Sequence, residues 1–402
     1  MKAQKPQCSQ FSISRFRTLI MLVAVALAIC TSIAQGEKTY IYVESNRGQV
    51  PSRNAVLAFS NDGLGNLTAL AGSPYLTNGT GVFDQGPPPL TEFDADQEVI
   101  ADANGDLLYA VNGASNTIAA FTINSDGTLT TVLGSPFPSG GQDPVSLGLT
   151  NSEPRQLVMA NKNEDPNQDI GGDLPNYTTF TVSTDGSLTM NVNSTLDVGA
   201  GSSPSQALMG HTKNHFFGME FKTSRLTSYR VSKGGAITEL SSLGPPTTGE
   251  VFLGEILHPS RRFIYVGLPL TSQVGVYRYG LGGELSFVTS VPNNGVAICW
   301  LAANAAGTRL YTSETETGTI SVYDIADPAS PLFLQQITLS GTDETVSNIA
   351  LDPTEGFLYA LVAHTIHIVN LDADGMMSET ITPVAFGGAS SEKPLGLAVV
   401  RK

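Results

Sequence analysis

Residues 108–129, LYAVNGASNTIAAFTINSDGTL, contain the organising unit of this chain. They read as a strand (Leu108-Tyr109-Ala110), a polar link, a second strand (Ile118 to Phe121), and the turn Asp126-Gly127-Thr128-Leu129 opening a third. Short runs rich in Val, Ile, Tyr and Thr, bounded by Gly, Asp and Asn, are strand signals. The second run recurs as Val56 to Phe59, Tyr177 to Phe180, Leu226 to Tyr229, Val274 to Tyr277, Ile320 to Tyr323 and Ile366 to Val369. Seven units roughly fifty residues apart mean stacked supersecondary repeats. The first run recurs as Ile41-Tyr42-Val43, Ile264-Tyr265-Val266, Leu310-Tyr311 and Leu358-Tyr359. The turn returns as Asp185-Gly186-Ser187-Leu188, Gly282-Gly283-Glu284-Leu285 and Asp374-Gly375-Met376-Met377. We label these strands b, c and d.

One further apolar run precedes strand b in six units: Val99 to Ala101, Val145 to Leu149, Ala207 to Met209, Phe252 to Leu257, Val296 to Leu301 and Ile349 to Leu351. This is strand a. The first unit lacks one, because Tyr40 opens directly on strand b, whereas Pro394-Leu395-Gly396-Leu397-Ala398-Val399-Val400 at the far end is a strand a with nothing after it. The last strand therefore completes the first unit and closes a ring, which removes exposed sheet edges. The expected fold is all-β, a seven-bladed β-propeller of four-stranded antiparallel blades.

Residues 1–36 read as a signal peptide outside this fold. Lys2, Lys5, Arg15 and Arg17 precede an apolar stretch from Leu19 to Ile29, and small residues around Ser32-Ile33-Ala34 mark cleavage. The stretch is too short for a comfortable membrane span. Leu27-Ala28-Ile29-Cys30 loosely resembles a lipoprotein box, but bulky Ile29 stands where a small residue is wanted, so lipid anchoring is not expected. Residues 37–402 read as one propeller domain, secreted or periplasmic. The formal charge is −15, and residues 1–36 hold four of the cations and no acid, so the remainder is more acidic still. Such a surface repels phosphate backbones and excludes nucleic acid as a partner. Of three cysteines only Cys299 lies beyond the signal, as a buried thiol beside Trp300, so no disulfide framework exists. Asn66, Asn78, Asn176 and Asn193 open sequons, which matter only in a eukaryotic host.

Strands alternate direction, so a-b and c-d turns share one end of the ring and b-c and d-a connections the other. The former are tight, as in Ala103-Asn104-Gly105-Asp106. The latter include Ser45 to Ala55, Gly72 to Gln97, Gly134 to Pro144 and Asn161 to Asn176. Long loops on a rigid scaffold carry binding, so function is expected at the b-c/d-a end. The ends of the b strands form an annulus there: Ser45, Asn112, Asn161, Glu220, Leu268, Glu314 and Val362. Glu220, between Phe216-Phe217-Gly218-Met219 and Phe221, is the expected acid or base, its carboxyl raised by apolar neighbours. Lys222 and Arg225 follow as cations that meet a carboxylate or an anionic ligand, or stay solvated. Glu255, within an inner strand, is expected to line the axial channel. His211, His215 and His258 fall on a-b turns, and His364 and His367 cannot chelate together. Asp165-Pro166-Asn167-Gln168-Asp169-Ile170-Gly171 alternates oxygen ligands like a calcium loop, but its glycine is one place late and Asn176 stands where Glu belongs. No metal or cofactor is expected.

The repeat, the Asp-Gly-x-Leu turn and the Gly-Ser-Pro-Phe/Tyr segments (Gly72 to Tyr75, Gly134 to Phe137) resemble the lactonase-family seven-bladed propellers. These include the propeller 6-phosphogluconolactonases, the carboxymuconate cycloisomerases and the related tyrosine-valine-threonine-asparagine repeat proteins. The resemblance implies lactone hydrolysis and carries a catalytic glutamate onto Glu220, within Met219-Glu220-Phe221. Beside it, the annulus itself suggests a small polar ligand oriented by Asn112, Asn161 and Gln206, with Lys222, Arg225 and Glu314 around it. The family's Gly-Pro-Arg-His is replaced by Ser203-Pro204-Ser205-Gln206 and its His-x-His by Pro144-Val145-Ser146. Two functions follow: an exported lactonase-like enzyme, or a non-catalytic monomer binding a glycan, peptide or envelope protein through its long loops.

Overall fold

Each repeat folds as an antiparallel sheet, and seven such sheets are present. The computed structural model describes residues 37–83, 95–151, 153–168, 171–211, 214–341, 345–388 and 392–402; the expected signal peptide lies outside the described residues. In blade 2 the strands are Val99–Ala101 (a), Leu107–Asn112 (b), Thr117–Ile123 (c) and Leu129–Thr131 (d). All seven c strands contain the runs read from the sequence. No helix occurs among the described residues, so none is long and apolar enough to cross a membrane.

The ring closes as expected. Leu395–Arg401 pairs antiparallel with Thr39–Glu44, setting Tyr40 opposite Val400 and Tyr42 opposite Ala398. Lys38 and Lys402 exchange backbone hydrogen bonds beyond the ladder's end. The outer strand departs from expectation in blades 1, 2, 3 and 7. There strand d lasts two or three residues, breaks, and returns to strand c, as Tyr75–Leu76 does opposite Ala55–Val56. The Gly-Ser-Pro segments form this break in blades 1 and 2, where proline has no N–H to give a ladder. In blades 4, 5 and 6 strand d is continuous: Ile237–Leu243, Leu285–Pro292 and Leu332–Thr338.

The repeated tyrosine and the repeated glycine turn prove to be two halves of one contact. Strand-b Tyr42 donates its hydroxyl to the Gly127 carbonyl in the c-d turn of the next blade, at 2.8 Å. Tyr109 does the same to Gly186 and Tyr311 to Gly375, each at 2.9 Å. Tyr265 reaches the Pro328 carbonyl at 3.1 Å. Where strand b lacks the tyrosine, a strand-c hydroxyl takes over, Thr179 to Gly235 and Ser228 to Gly283. At the closing interface Asn61 donates to the Tyr359 hydroxyl, which donates to Asp352. Gly127 has φ +79°, and a Cβ there would lie 2.2 Å from the Tyr40 ring, so the turn admits glycine for both reasons.

Two outcomes follow. Truncation after Lys393 removes buried Leu395, Ala398 and Val400 and strips Thr39–Glu44 of its inner partner. Large aliphatic side chains contribute roughly 1.5–3 kcal/mol each, so the thermal melt should lose its cooperative transition; an unchanged melt would place closure elsewhere. Tyr109→Phe strands a buried turn carbonyl and should lower stability by about 1–3 kcal/mol, read as a lower urea midpoint at constant m-value.

Candidate functional site

Topology gathers the b-strand ends at the b-c/d-a end, and the polar members of the annulus are spent on local hydrogen bonds. Ser45 Oγ donates to Asn54 Oδ1 at 3.0 Å. Asn112 accepts from Asn54 and Thr77 and donates to Thr117 Oγ1 at 3.1 Å. Asn161 donates to the Ser139 carbonyl and to Asn176 Oδ1. Glu314 accepts from Asn293, Thr312, Thr319 and Gln336, while burial still raises its carboxyl above the ordinary range.

Glu220 ends strand b of blade 4 (His215–Glu220) and is only 4% exposed. Its surroundings are polar rather than the apolar setting read from its flanking phenylalanines. Ser202 and Thr223 hydroxyls donate to one oxygen and Tyr229 to the other, the latter at 3.2 Å. Strand alternation turns Phe217 to the opposite face, against Tyr279, and Phe216, on the same face as Glu220, stacks on the Tyr229 ring whose hydroxyl reaches the carboxylate. Lys222 pairs with Glu164 of blade 3 at 2.7 Å. Arg225 pairs with exposed Glu239 and donates to Ser242 on the outer edge of its own blade, away from Glu220.

A cluster that the sequence reading missed lies at the same end. Glu44, Glu98 and Asp143 line a small chamber of about 10 Å³ beside Asn46, Val82 and Val145. Both oxygens of Glu98, Glu44 Oε2 and Asp143 Oδ1 are buried without a hydrogen-bond partner among the described residues. Burial raises Glu44 to about 8 and Asp143 to about 7; the Lys162 charge pulls Asp143 partly back. Burial, then the charge of Asp96, raises Glu98 well above its ordinary range. Lys162 is fully buried, its backbone N–H donates to the Asp143 carbonyl at 2.8 Å, and its ammonium lies 3.9 Å from Glu164. Glu44 sits one place before the annulus on the opposite side of its strand, while Glu98 and Asp143 directly precede inner strands. A charged residue immediately before a strand a was the legible signal.

Gln206 lies on the axis, not in the annulus. The stretch Ala95–Glu98, ending the blade 1 to blade 2 connection, crosses the ring and plugs it. Asp96 N–H donates to the Ser205 carbonyl, Leu147 N–H to Gln97, Val111 N–H to Glu98, and Trp300 Nε1 to Ala95 at 3.0 Å. Gln206 holds the plug, donating to Asp96 Oδ2, Gln97 Oε1 and the Glu255 carbonyl and accepting from Glu255 N–H. Glu255 does not line the channel: its side chain is fully buried on the other face of its strand, and burial raises its carboxyl well above the ordinary range.

His258 bonds the Gly307 carbonyl, His211 the His258 carbonyl, and His367 pairs with Glu379 at 2.6 Å. Asp165 accepts from Asn167 and Gln168 within its own loop; Asp169 and Ile170 lie outside the described residues. Among the described residues no three His, Cys, Asp or Glu are grouped to hold a metal ion.

No protein-family model matches the chain, and no curated protein matches it. Solved structures do. A Lactobacillus plantarum protein superposes with TM-score 0.69 at 16% identity, covering 90% of this chain and 99% of its own. A candidate 6-phosphogluconolactonase from Bacteroides fragilis gives 0.67 at 18%, covering 92% and 99%. The periplasmic gluconolactonase of Pseudomonas aeruginosa gives 0.68 at 16%, covering 90% and 99%. These likenesses show the seven-bladed propeller fold.

The buried carboxyls fix the sign of the pH dependence. The folded-state pKa values of Glu44 and Asp143 lie above those of the unfolded chain, so the native state binds more protons between about pH 4 and pH 8. Their stabilisation is complete below that window and is lost as pH rises through it. The melting temperature should fall from pH 5 to pH 8.5, and Glu44→Gln and Asp143→Asn should each flatten the fall. Equal slopes in all three proteins would contradict the assignment.

Proposed function

We propose that this chain is an exported lactonase-like propeller that hydrolyses a small, uncharged lactone at its b-c/d-a end. The observation that carries this reading is the chamber bounded by Glu44, Glu98 and Asp143, with Lys162 buried beside it. Clusters of carboxyls with displaced proton affinities are what acid–base chemistry needs. Asp143, titrating near neutrality, is suited to take a proton from water; protonated Glu98 or Glu44 is suited to return one to the leaving alkoxide. A positive charge at Lys162 would stabilise the oxyanion. The chamber has room for about one water, the size of the nucleophile and not of the lactone. Glu220, assigned to catalysis by the family resemblance, lies one blade further round, with Lys222 and Glu164 between it and Lys162.

Residues 1–36 support export, and the fold shared with a periplasmic gluconolactonase agrees with it. A second reading, a non-catalytic module for a glycan, peptide or envelope protein, draws on the full hydrogen bonding of Glu220.

One assay separates them. Residues 37–402, with Asp143→Asn and Glu220→Gln variants checked for native melts, are offered sugar and aliphatic lactones and ring opening is followed by proton release. Hydrolysis should fall roughly 100-fold or more in Asp143→Asn. Loss in Glu220→Gln alone moves the chemistry to Glu220; no hydrolysis by the unaltered protein leaves the binding module.

A further inference from the structure

The plug divides the ring axis into two unlike halves. Beyond it, toward the a-b turns, lies a cavity of about 590 Å³, within the roughly 300–1,000 Å³ range of small-molecule pockets. Its mouth is framed by Ala103, Asn104, Gly105 and Pro353, at the end opposite the buried carboxyl chamber. Its wall is aliphatic, supplied by inner strands of several blades through residues such as Ile100, Leu208, Ile256, Leu301, Ile349 and Val399. Its blind end is polar: Asp96, Gln97, Gln206 and Asn348.

The polar end is built, not incidental. Asp96 is fixed by its own neighbour's N–H at 2.8 Å, by Asn348 Nδ2 at 3.1 Å and by Gln206 Nε2 at 3.3 Å. Asn348 is 3% exposed and Gln206 1%. Gln206 has both amide groups committed to the plug and to the Glu255 backbone. The cavity's other ionisable groups stand at the rim, Asp102 paired with Arg155 at 2.8 Å, and Arg401. Among the described residues no cation faces Asp96 from the cavity wall. A carboxylate at the bottom of an aliphatic well is an incomplete ion pair, because a buried charge is stable when matched by an opposite one.

We propose that this axial cavity binds a small amphiphilic organic cation, with its ammonium on Asp96 and its hydrocarbon along the aliphatic wall. The site lies apart from the lactone chemistry proposed for the other end, and its binding does not require that reading. The negative charge of Asp96 repels carboxylate and phosphate heads, and the aliphatic walls reject a fully hydrated ion.

Calorimetric titration of residues 37–402 with n-hexylamine, n-hexanol and hexanoate at constant pH and ionic strength tests this. The amine should bind and hexanoate should not. Replacing the ion pair by a neutral amide in Asp96→Asn should weaken the amine by roughly tenfold or more and leave hexanol unchanged. If Asp96→Asn does not fold, Val399→Phe, which fills the well from its wall, should abolish binding while the melt stays cooperative. Hexanol binding as tightly as the amine, amine affinity indifferent to either substitution, or no binding by any probe would each overturn the proposal.

Discussion

One contact sets how neighbouring sheets of the ring are registered: a hydroxyl from one blade meeting the turn carbonyl of the next. Each sheet buries both faces only when a neighbour stands on either side, so no blade is stable alone. Apolar packing between blades is strong but not directional. The bonds from Tyr42 to Gly127, Tyr109 to Gly186 and Tyr311 to Gly375 supply register, because each requires a fixed offset between a strand and the following turn. The repeated Asp-Gly turn is therefore as much part of the interface as the apolar strands. Its glycine presents an unobstructed carbonyl at a backbone conformation other residues rarely adopt.

Closure follows from the same requirement. The seventh interface has no following turn in sequence, and the chain meets the need by returning its last strand beside Thr39–Glu44. The tyrosine contact is modified there, with Asn61 donating to Tyr359 and Tyr359 to Asp352. The ring is thus latched twice, by a backbone ladder near the axis and by a side-chain relay farther along the blade.

This explains which parts of the molecule were legible. Strands b and c carry alternation, tyrosine and turn glycine in one order, and all seven c strands and the lent strand a fall where that order puts them. The annulus of b-strand ends was legible as a position but not as chemistry. The groups that occupy Asn112 and Glu314 are Asn54, Thr77, Asn293 and Gln336, which come from connections and neighbouring strands that no periodicity marks. Glu220 was misjudged by its phenylalanines, because the hydroxyls of Ser202, Thr223 and Tyr229 that surround it come from other segments. The plug was invisible for a deeper reason. Ala95–Glu98 crosses the axis with few regular hydrogen bonds, and nothing in a connection's length says whether it runs over the ring or through it.

The plug also joins the two ends electrically. Asp96 faces the axial cavity and Glu98 the carboxyl chamber, two residues apart on one segment. After burial itself, the charge of Asp96 is the largest influence raising Glu98. Groups that interact so closely release protons as a set and not singly. Any positive charge brought to Asp96 would relieve that repulsion and make Glu98 easier to ionise, and protonation of Asp96 would do the same. A charge brought into the axial cavity would therefore bear on the protonation of the chamber through the field of one carboxylate, with no change of fold.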